Sequence, residues 1–299
     1  MLHKTSHSWI AAASLIAVVL GADVGAQSSV KTAAAPERVR LYVLDCGLIN
    51  VNRAGTERYN VTPEEVGETR FSVPCFLIAH PRGTLMWDLG VVPDDTVEAR
   101  ARGEQGNPTA TPESTTPVKR TLRSQLAELG YEPEGITYFA FSHAHGDHVA
   151  NANSFAASTW LARPAERAFM WQDGNARVNR TYFDRIAMSK SVILEQDEYD
   201  VFGDASVVIK SAPGHSPGHQ VLVLDLASSG RIMLAGDLYH YPQERTLHRQ
   251  PPATEFSVEQ SAASRAMIEE YLRRTGTEIW IEHDFVANAK LKKAPDYYD

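Results

Sequence analysis

Apolar positions along the chain switch between two periods, and the switches mark out the elements. Short β-branched, aromatic and leucine-rich runs predict strands at Val39–Cys46, Phe71–Ala79, Thr84–Gly90, Ile136–Phe141 and Thr159–Ala162. A second group falls at Val192–Leu194, Ser206–Ile209, Gln220–Leu226, Ile232–Ala235 and Glu278–Glu282, with Ser228–Ser229–Gly230 as a hairpin turn. Helical spacing predicts a helix over Val118–Leu129, where Leu122, Leu126 and Leu129 precede Gly130, and a short one over Val149–Phe155. Pro164–Trp171 reads as a helix with proline in its first turn. The last long helix opens at Ser257, with Gln260 three residues on as in a capping box, and stops at Gly276. Its apolar face is expected from Ala263, Met267, Ile268, Tyr271 and Leu272. The stretches 47–70, 91–117 and 172–191 read as long loops, which in a compact domain are usually functional or mobile. Two halves of mixed strands, each followed by helices, predict a layered α/β sandwich rather than an all-parallel sheet.

The N-terminal pattern differs from everything after it. A weakly basic start at Lys4 precedes the apolar run Trp9–Leu20, and Val24–Gly25–Ala26 supplies small residues for cleavage. The run is short for a bilayer span. The expected organisation is therefore an export signal over 1–26, a linker over 27–38 and one domain over 39–299, in a periplasmic or secreted protein. No cysteine follows the run, which argues against a lipid anchor, and nothing later is long enough to insert stably in a membrane. Of 299 residues, 43% are hydrophobic, enough for a sizeable core, and the net charge of −8 with no long basic run disfavours nucleic-acid binding. Cys46 and Cys75 each sit in a strand-like run; two buried free thiols are slightly favoured over a disulfide, because the pattern fixes no register between the strands.

Candidate chemistry concentrates where strands end. Ser142–His143–Ala144–His145–Gly146–Asp147–His148 places three imidazoles and a carboxylate directly after the strand Ile136–Phe141. Such donors suit zinc, iron, cobalt or manganese rather than a thiolate site. His215 in Pro213–Gly214–His215–Ser216–Pro217–Gly218–His219, Asp237 after Leu234–Ala235–Gly236, and His283 after the last strand deliver further ligands from three other strand ends. Asp88 reads first as a turn former, with ligand or ligand support as alternatives. His219 reads as a loop anchor, His248 as a surface residue, and His80 has no evident partner. There is no G-x-S-x-G nucleophile motif.

Phe141–His148 resembles the H-x-H-x-D-H signature of the metallo-β-lactamase superfamily, and the later order His215, Asp237, His283 is similar to that of its dinuclear members. Pro213–Gln220, Leu41–Cys46 and Val73–Pro74–Cys75 look most like the superfamily's N-acyl homoserine lactonases. The resemblance spans Val39 to Asp284. It implies an αββα sandwich of two mixed sheets and two divalent ions per chain, most simply zinc. His143, His145 and His215 would hold one ion, Asp147, His148 and His283 the other, and Asp237 would bridge them. It also implies opening of a small lactone or related ester by a metal-bridging hydroxide, Asp147 as proton shuttle to the leaving alkoxide, and a homodimer.

Two departures from those lactonases stand out. Three residues after the bridging aspartate they carry a tyrosine that assists the carbonyl oxygen; here the run is Asp237–Leu238–Tyr239–His240–Tyr241. His240 is the expected substitute, with Tyr239 or Tyr241 as alternatives. Gly146 stands where a bulky aromatic is common, which predicts a wider acyl pocket with Trp87, Trp160, Trp171 and the aromatics around Tyr182 as candidate walls. Rival functions on the same ligand set are hydrolysis of a β-lactam, thioester, aryl ester or organophosphate, or a non-catalytic metal-binding module.

Overall fold

The computed structural model describes residues 1–2, 33–104, 115–116, 118 and 120–299, so the expected export signal lies almost entirely outside the described residues. Residues 31–299 form one compact unit. Within the stretch expected as a linker, the backbone N–H of Ala33 donates to the carbonyl of Gly130. No helix among the described residues is long and apolar enough to cross a membrane.

Among the described residues, twelve strands build two sheets: β1 (Arg40–Ile49), β2 (Phe71–His80), β3 (Gly83–Trp87), β4 (Thr115–Thr116), β5 (Tyr138–Ala140), β6 (Thr159–Ala162), β7 (Ser191–Ile193), β8 (Glu198–Asp200), β9 (Val207–Ser211), β10 (Gln220–Leu226), β11 (Gly230–Leu234) and β12 (Glu278–Trp280). The first sheet runs β4-β1-β2-β3-β5-β6-β7 and the second β12-β11-β10-β9-β8. β1, β2 and β3 pair antiparallel, while β3, β5, β6 and β7 run parallel. In the second sheet only β12 is parallel to its neighbour.

Period-2 alternation assigns the two faces of each sheet. Leu41 and Val43 of β1 join Ile78, Trp87, Leu222 and Leu234 in the core between the sheets. Tyr42 and Leu44 face the other way, onto Leu122 and Leu126 of the helix Leu122–Glu128. Ile268 and Leu272 of the helix Val258–Thr275 cover the outer face of the second sheet through Val221, Val223 and Met233. The result is helix, sheet, sheet, helix, the expected αββα order.

Ser257 caps the long helix by accepting the N–H of Gln260, a cap worth about 1 kcal/mol. Its buried stripe differs from the expected one: Ser261, Ser264, Arg265, Ile268 and Leu272 turn inward, whereas Met267 is 46% exposed. Polar residues occupy the inward face because their partners are loop groups below it, Ser264 donating to the Pro213 carbonyl and Arg265 to the Leu238 carbonyl.

The loop at 47–70 contains a 3-10 helix, Arg53–Tyr59, and a turn of helix at Pro63–Val66. The loop at 91–117 contains the helix Asp94–Ala101, which has almost no amphipathic pattern to betray it. The cysteines are also corrected: Cys46 and Cys75 are joined by a disulfide with Cα atoms 5.7 Å apart. A register shift in β1 between Asp45 and Leu48 brings Cys46 diagonally across from Cys75, which stands opposite Leu44. Gln125 bonds both backbone groups of Asp45 at that irregularity.

Candidate metal centre

The strand and loop ends that carry the candidate ligands meet on one rim. His143 Nε2, His145 Nδ1 and His215 Nε2 converge, His145 Nδ1 lying 2.9 Å from the first and 3.0 Å from the last. Asp237 Oδ2 closes this group at 3.8 Å from His143 and 3.4 Å from His215. The other carboxylate oxygen, Oδ1, lies 3.2 Å from His148 Nε2 and 3.1 Å from His283 Nε2. Asp147 Oδ2 completes that second group at 3.6 and 3.5 Å from the same two nitrogens. Asp237 thus offers one oxygen to each triad.

The backbone that presents these donors is pinned. Glu166, buried in the helix Pro164–Met170, accepts the N–H of Ala144 at 2.7 Å, the hydroxyl of Ser216 at 2.6 Å and the N–H of Gly218 at 2.9 Å. It ties the His143–His145 turn to the His215 loop. His219 stands between the Ala212 carbonyl and the N–H of Asp237; Nε2 accepts from the latter at 3.1 Å, so Nδ1 donates to the former at 2.9 Å. Gly236, at φ +49°, leaves no room for a side chain, because a Cβ would come 2.4 Å from Ser142 Cβ.

Carboxylates and carbonyls back the imidazoles. His283 Nδ1 donates to the Ser72 carbonyl at 2.9 Å. His215 Nδ1 faces Glu255 at 3.3 Å, and Glu255 accepts from Ser261. His148 Nδ1 faces Asp88 at 3.4 Å and Glu282 at 3.5 Å. Asp88 performs two of its anticipated roles: it adopts φ +52° in the turn, and its carboxylate accepts the Ser142 N–H at 2.7 Å. Glu166, Glu255 and Glu282 escaped the sequence reading. Only Glu282, adjacent to His283, had a positional signal.

The charges differ between the groups. Burial and the neighbouring imidazoles push His143 well down and His145 to about 3, leaving both rings neutral, the form that binds metal. Burial also disfavours the His148 imidazolium, but Glu282, Asp147, Asp237 and Asp88 outweigh it and raise the group well above its usual value. Burial pushes the Glu282 carboxyl up, with Asp88 adding to the rise. His148 Nε2 and Asp237 Oδ1 are buried and have no hydrogen-bond partner among the described residues. The neutral His143 and His145 rings, the buried carboxylates that call for positive charge around His148, and the inward-facing orphaned atoms all fit a pair of divalent cations.

The structure separates the remaining candidates. His240 reaches the site, its Nε2 3.4 Å from Asp237 Oδ2 and its Nδ1 3.5 Å from Glu244. Tyr239 does not. Extended backbone at Tyr239 turns its ring away, where the hydroxyl donates to Glu269 and Arg265 lies over the ring. The Tyr241 hydroxyl is engaged with the Thr69 carbonyl. Tyr182, one of the expected walls, lies beside Gly146, where a Cβ would meet its Cε2 at ordinary contact distance, 3.4 Å. Trp87 and Trp160 are fully buried core, and Trp171 packs on Trp160 rather than lining a pocket. His248 is exposed, and His80 is held by Asp204 at 2.8 Å.

This layering and two-triad rim define a class. Residues 69–273 match the family model of the metallo-beta-lactamase superfamily, and the chain belongs to that superfamily. Within it, the chain is 28% identical over 270 residues to the N-acyl homoserine lactonase AttM of Azorhizobium caulinodans, covering 87% of this chain and 99% of the relative. A solved N-acyl homoserine lactone hydrolase, with the product N-hexanoyl-L-homoserine at its catalytic metal centre, superposes with a TM-score of 0.68 at 22% identity, over 86% of this chain and 98% of that one. AidC, a dizinc quorum-quenching lactonase, gives 0.59 at 17% identity, over 87% and 94%.

Proposed function

We propose that this protein is a dinuclear metal hydrolase, most simply a dizinc enzyme, that opens the ring of N-acyl homoserine lactones. The observation that carries the reading is the split of Asp237 between two three-residue donor groups, in a chain that matches a named lactonase over 99% of that relative's length. His143, His145, His215 and Asp237 would hold one ion, and Asp147, His148, His283 and Asp237 the other. When bound, the two ions supply a water acidic enough to attack at neutral pH and a positive field for the lactone carbonyl.

The chain's own residues do the rest. Asp147 is the carboxylate of the set most open to the cleft, its side chain 17% exposed against 5% for Asp237. It receives the proton of the attacking water and returns it to the departing ring alkoxide. His240, held by Glu244 from behind, directs Nε2 at the same cleft and donates to the carbonyl oxygen as charge builds there. If His240→Ala leaves kcat/KM for the best substrate unchanged, that role is lost.

The protein is further proposed to work outside the cytoplasm. The apolar run at 9–20 and the buried Cys46–Cys75 disulfide both support export. Sequencing the N-terminus of protein recovered from the periplasm or medium tests this; an intact residue 1 overturns cleavage. Metal analysis of the purified protein, with a pH-stat panel of homoserine lactones, simple lactones, a cephalosporin, a thioester, an aryl ester and an organophosphate, tests the activity. Two ions per chain and preferred acid release from the homoserine lactones are expected; acid release from the cephalosporin alone refutes the lactonase reading.

A further inference from the structure

Tyr239 and Tyr241 flank His240 in sequence and Tyr59 packs against its ring, and the three hydroxyls have different fates. Tyr239 gives its hydroxyl to Glu269 and Tyr241 to the Thr69 carbonyl. The third, Tyr59, comes from a distant part of the chain. It ends the 3-10 helix Arg53–Tyr59, and its ring packs tilted at 41° against His240 with centroids 4.3 Å apart. Phe71 and Tyr241 hold the ring edge-on at 5.5 and 5.6 Å. Among the described residues its hydroxyl donates no hydrogen bond, although the side chain is only 8% exposed.

The ring is nearly buried, but the hydroxyl itself keeps a face that water or a substrate can reach. What faces it is the metal rim. The charges that act on its hydroxyl are His240, Arg58, Asp237 and Asp147, the last two being the proposed bridging and shuttling carboxylates, with the Arg58 guanidinium 4.9 Å from the ring centre. The segment that carries it is built into the fold. Asn60, in the left-handed conformation after the helix, donates to the Gln250 carbonyl at 3.0 Å; Thr62 and Glu65 form a reciprocal cap; Glu65 pairs with Arg249. These bonds tie the segment that carries Tyr59 to Arg249 and Gln250.

We propose that Tyr59 is a second catalytic hydrogen-bond donor, its phenol joining the His240 imidazole at the substrate carbonyl. The proposal rests on the lactonase reading. The phenol comes from a segment far from His240 in sequence, and the two rings lie against each other at the rim. Burial pushes the Tyr59 hydroxyl up, so it stays protonated at neutral pH and donates rather than accepts.

The test compares Tyr59→Phe with wild type and Tyr239→Phe, all loaded with zinc. Metal content and unfolding midpoint verify that each is folded. For the best homoserine lactone, Tyr59→Phe is expected to lower kcat about 100-fold or more with KM little changed, as for loss of one donor at a developing oxyanion. Tyr239→Phe, whose hydroxyl points elsewhere, is expected to match wild type. Should Tyr59→Phe fail to fold, 3-fluorotyrosine at position 59 decides: its more acidic phenol moves the alkaline limb of the kcat profile to lower pH, and an unmoved limb overturns the proposal. An active wild type with an equally active Tyr59→Phe overturns the proposal alone. A zinc-loaded wild type that hydrolyses no lactone overturns the lactonase reading, and the proposal with it.

Discussion

Replacing both cysteines by alanine tests how much the disulfide contributes. Cys46 and Cys75 lie 29 residues apart in sequence. A cross-link closing a loop of that length removes about 12 cal/mol/K of unfolded-chain entropy, or about 3.6 kcal/mol at 25 °C. Against a typical total of about 5–15 kcal/mol, that is a quarter or more of the stability. Alanine avoids burying an unpaired hydroxyl, and each site loses only one sulfur from the core. The effect should also reach the metal rim. Gly90, at φ +78°, is packed so closely that a Cβ would come 2.7 Å from Cys46 Cβ, and the next residue, Val91, donates its N–H to the Cys46 carbonyl. The same turn holds the His148 carbonyl through Leu89 N–H and presents Asp88 to His148. Urea unfolding of C46A/C75A should show a loss of about 3–4 kcal/mol, with a steeper denaturant slope as the unfolded chain expands. Metal titration should show weaker retention of the ion assigned to His148. A loss below about 1 kcal/mol would refute the loop-closure argument, and unchanged metal retention would refute the link through Gly90.

Other changes probe separate joints of the site. Glu166→Gln leaves one acceptor for Ser216 and Gly218 but sets a donor against the Ala144 N–H; a stability loss of about 1–3 kcal/mol is expected in thermal unfolding, and unchanged stability would count against the tie. Asp237→Asn should reduce metal content in both triads and abolish most turnover, as measured by metal analysis and pH-stat; full activity would sink the two-ion arrangement. Burial lowers Lys293 to about 8, with Asp45 opposing the shift. The unfolded chain therefore holds more protons between pH 8 and about 10.5, and wild-type stability should rise with pH through that window. Lys293→Met should remove the rise and add about 1–2 kcal/mol at pH 7 in urea titrations, after allowance for partial screening.

What the sequence made legible follows from how local each signal is. Strands with a buried face were placed within a few residues, and β6 and β10 coincide with their predicted bounds. The ligand residues stood out because imidazoles and carboxylates at strand ends are rare and closely spaced. Glu166 and Glu255 did not, since an acidic residue in a helix or loop looks like a solvated one until the chain folds over it. The inward stripe of the helix Val258–Thr275 was misread for the converse reason: Ser261, Ser264 and Arg265 are buried for the partners they meet, not for their hydropathy. Tyr59 carried no signal, because only tertiary contact sets it beside His240. The disulfide required the β1 irregularity, and no periodicity encodes an extra residue in a strand.

Asp237 divides its two oxygens between donor groups that sheets and buried struts hold from behind, whereas Tyr59, Tyr182 and His240 come from connecting segments. The two tasks are thereby assigned to parts of the chain that vary under different constraints. Insertions, deletions and aromatic exchanges in the segments around residues 47–70, 172–190 and 239–256 can reshape the substrate's surroundings while the ion-holding frame stays untouched. Descendants of this scaffold can therefore change substrates without first losing their metals.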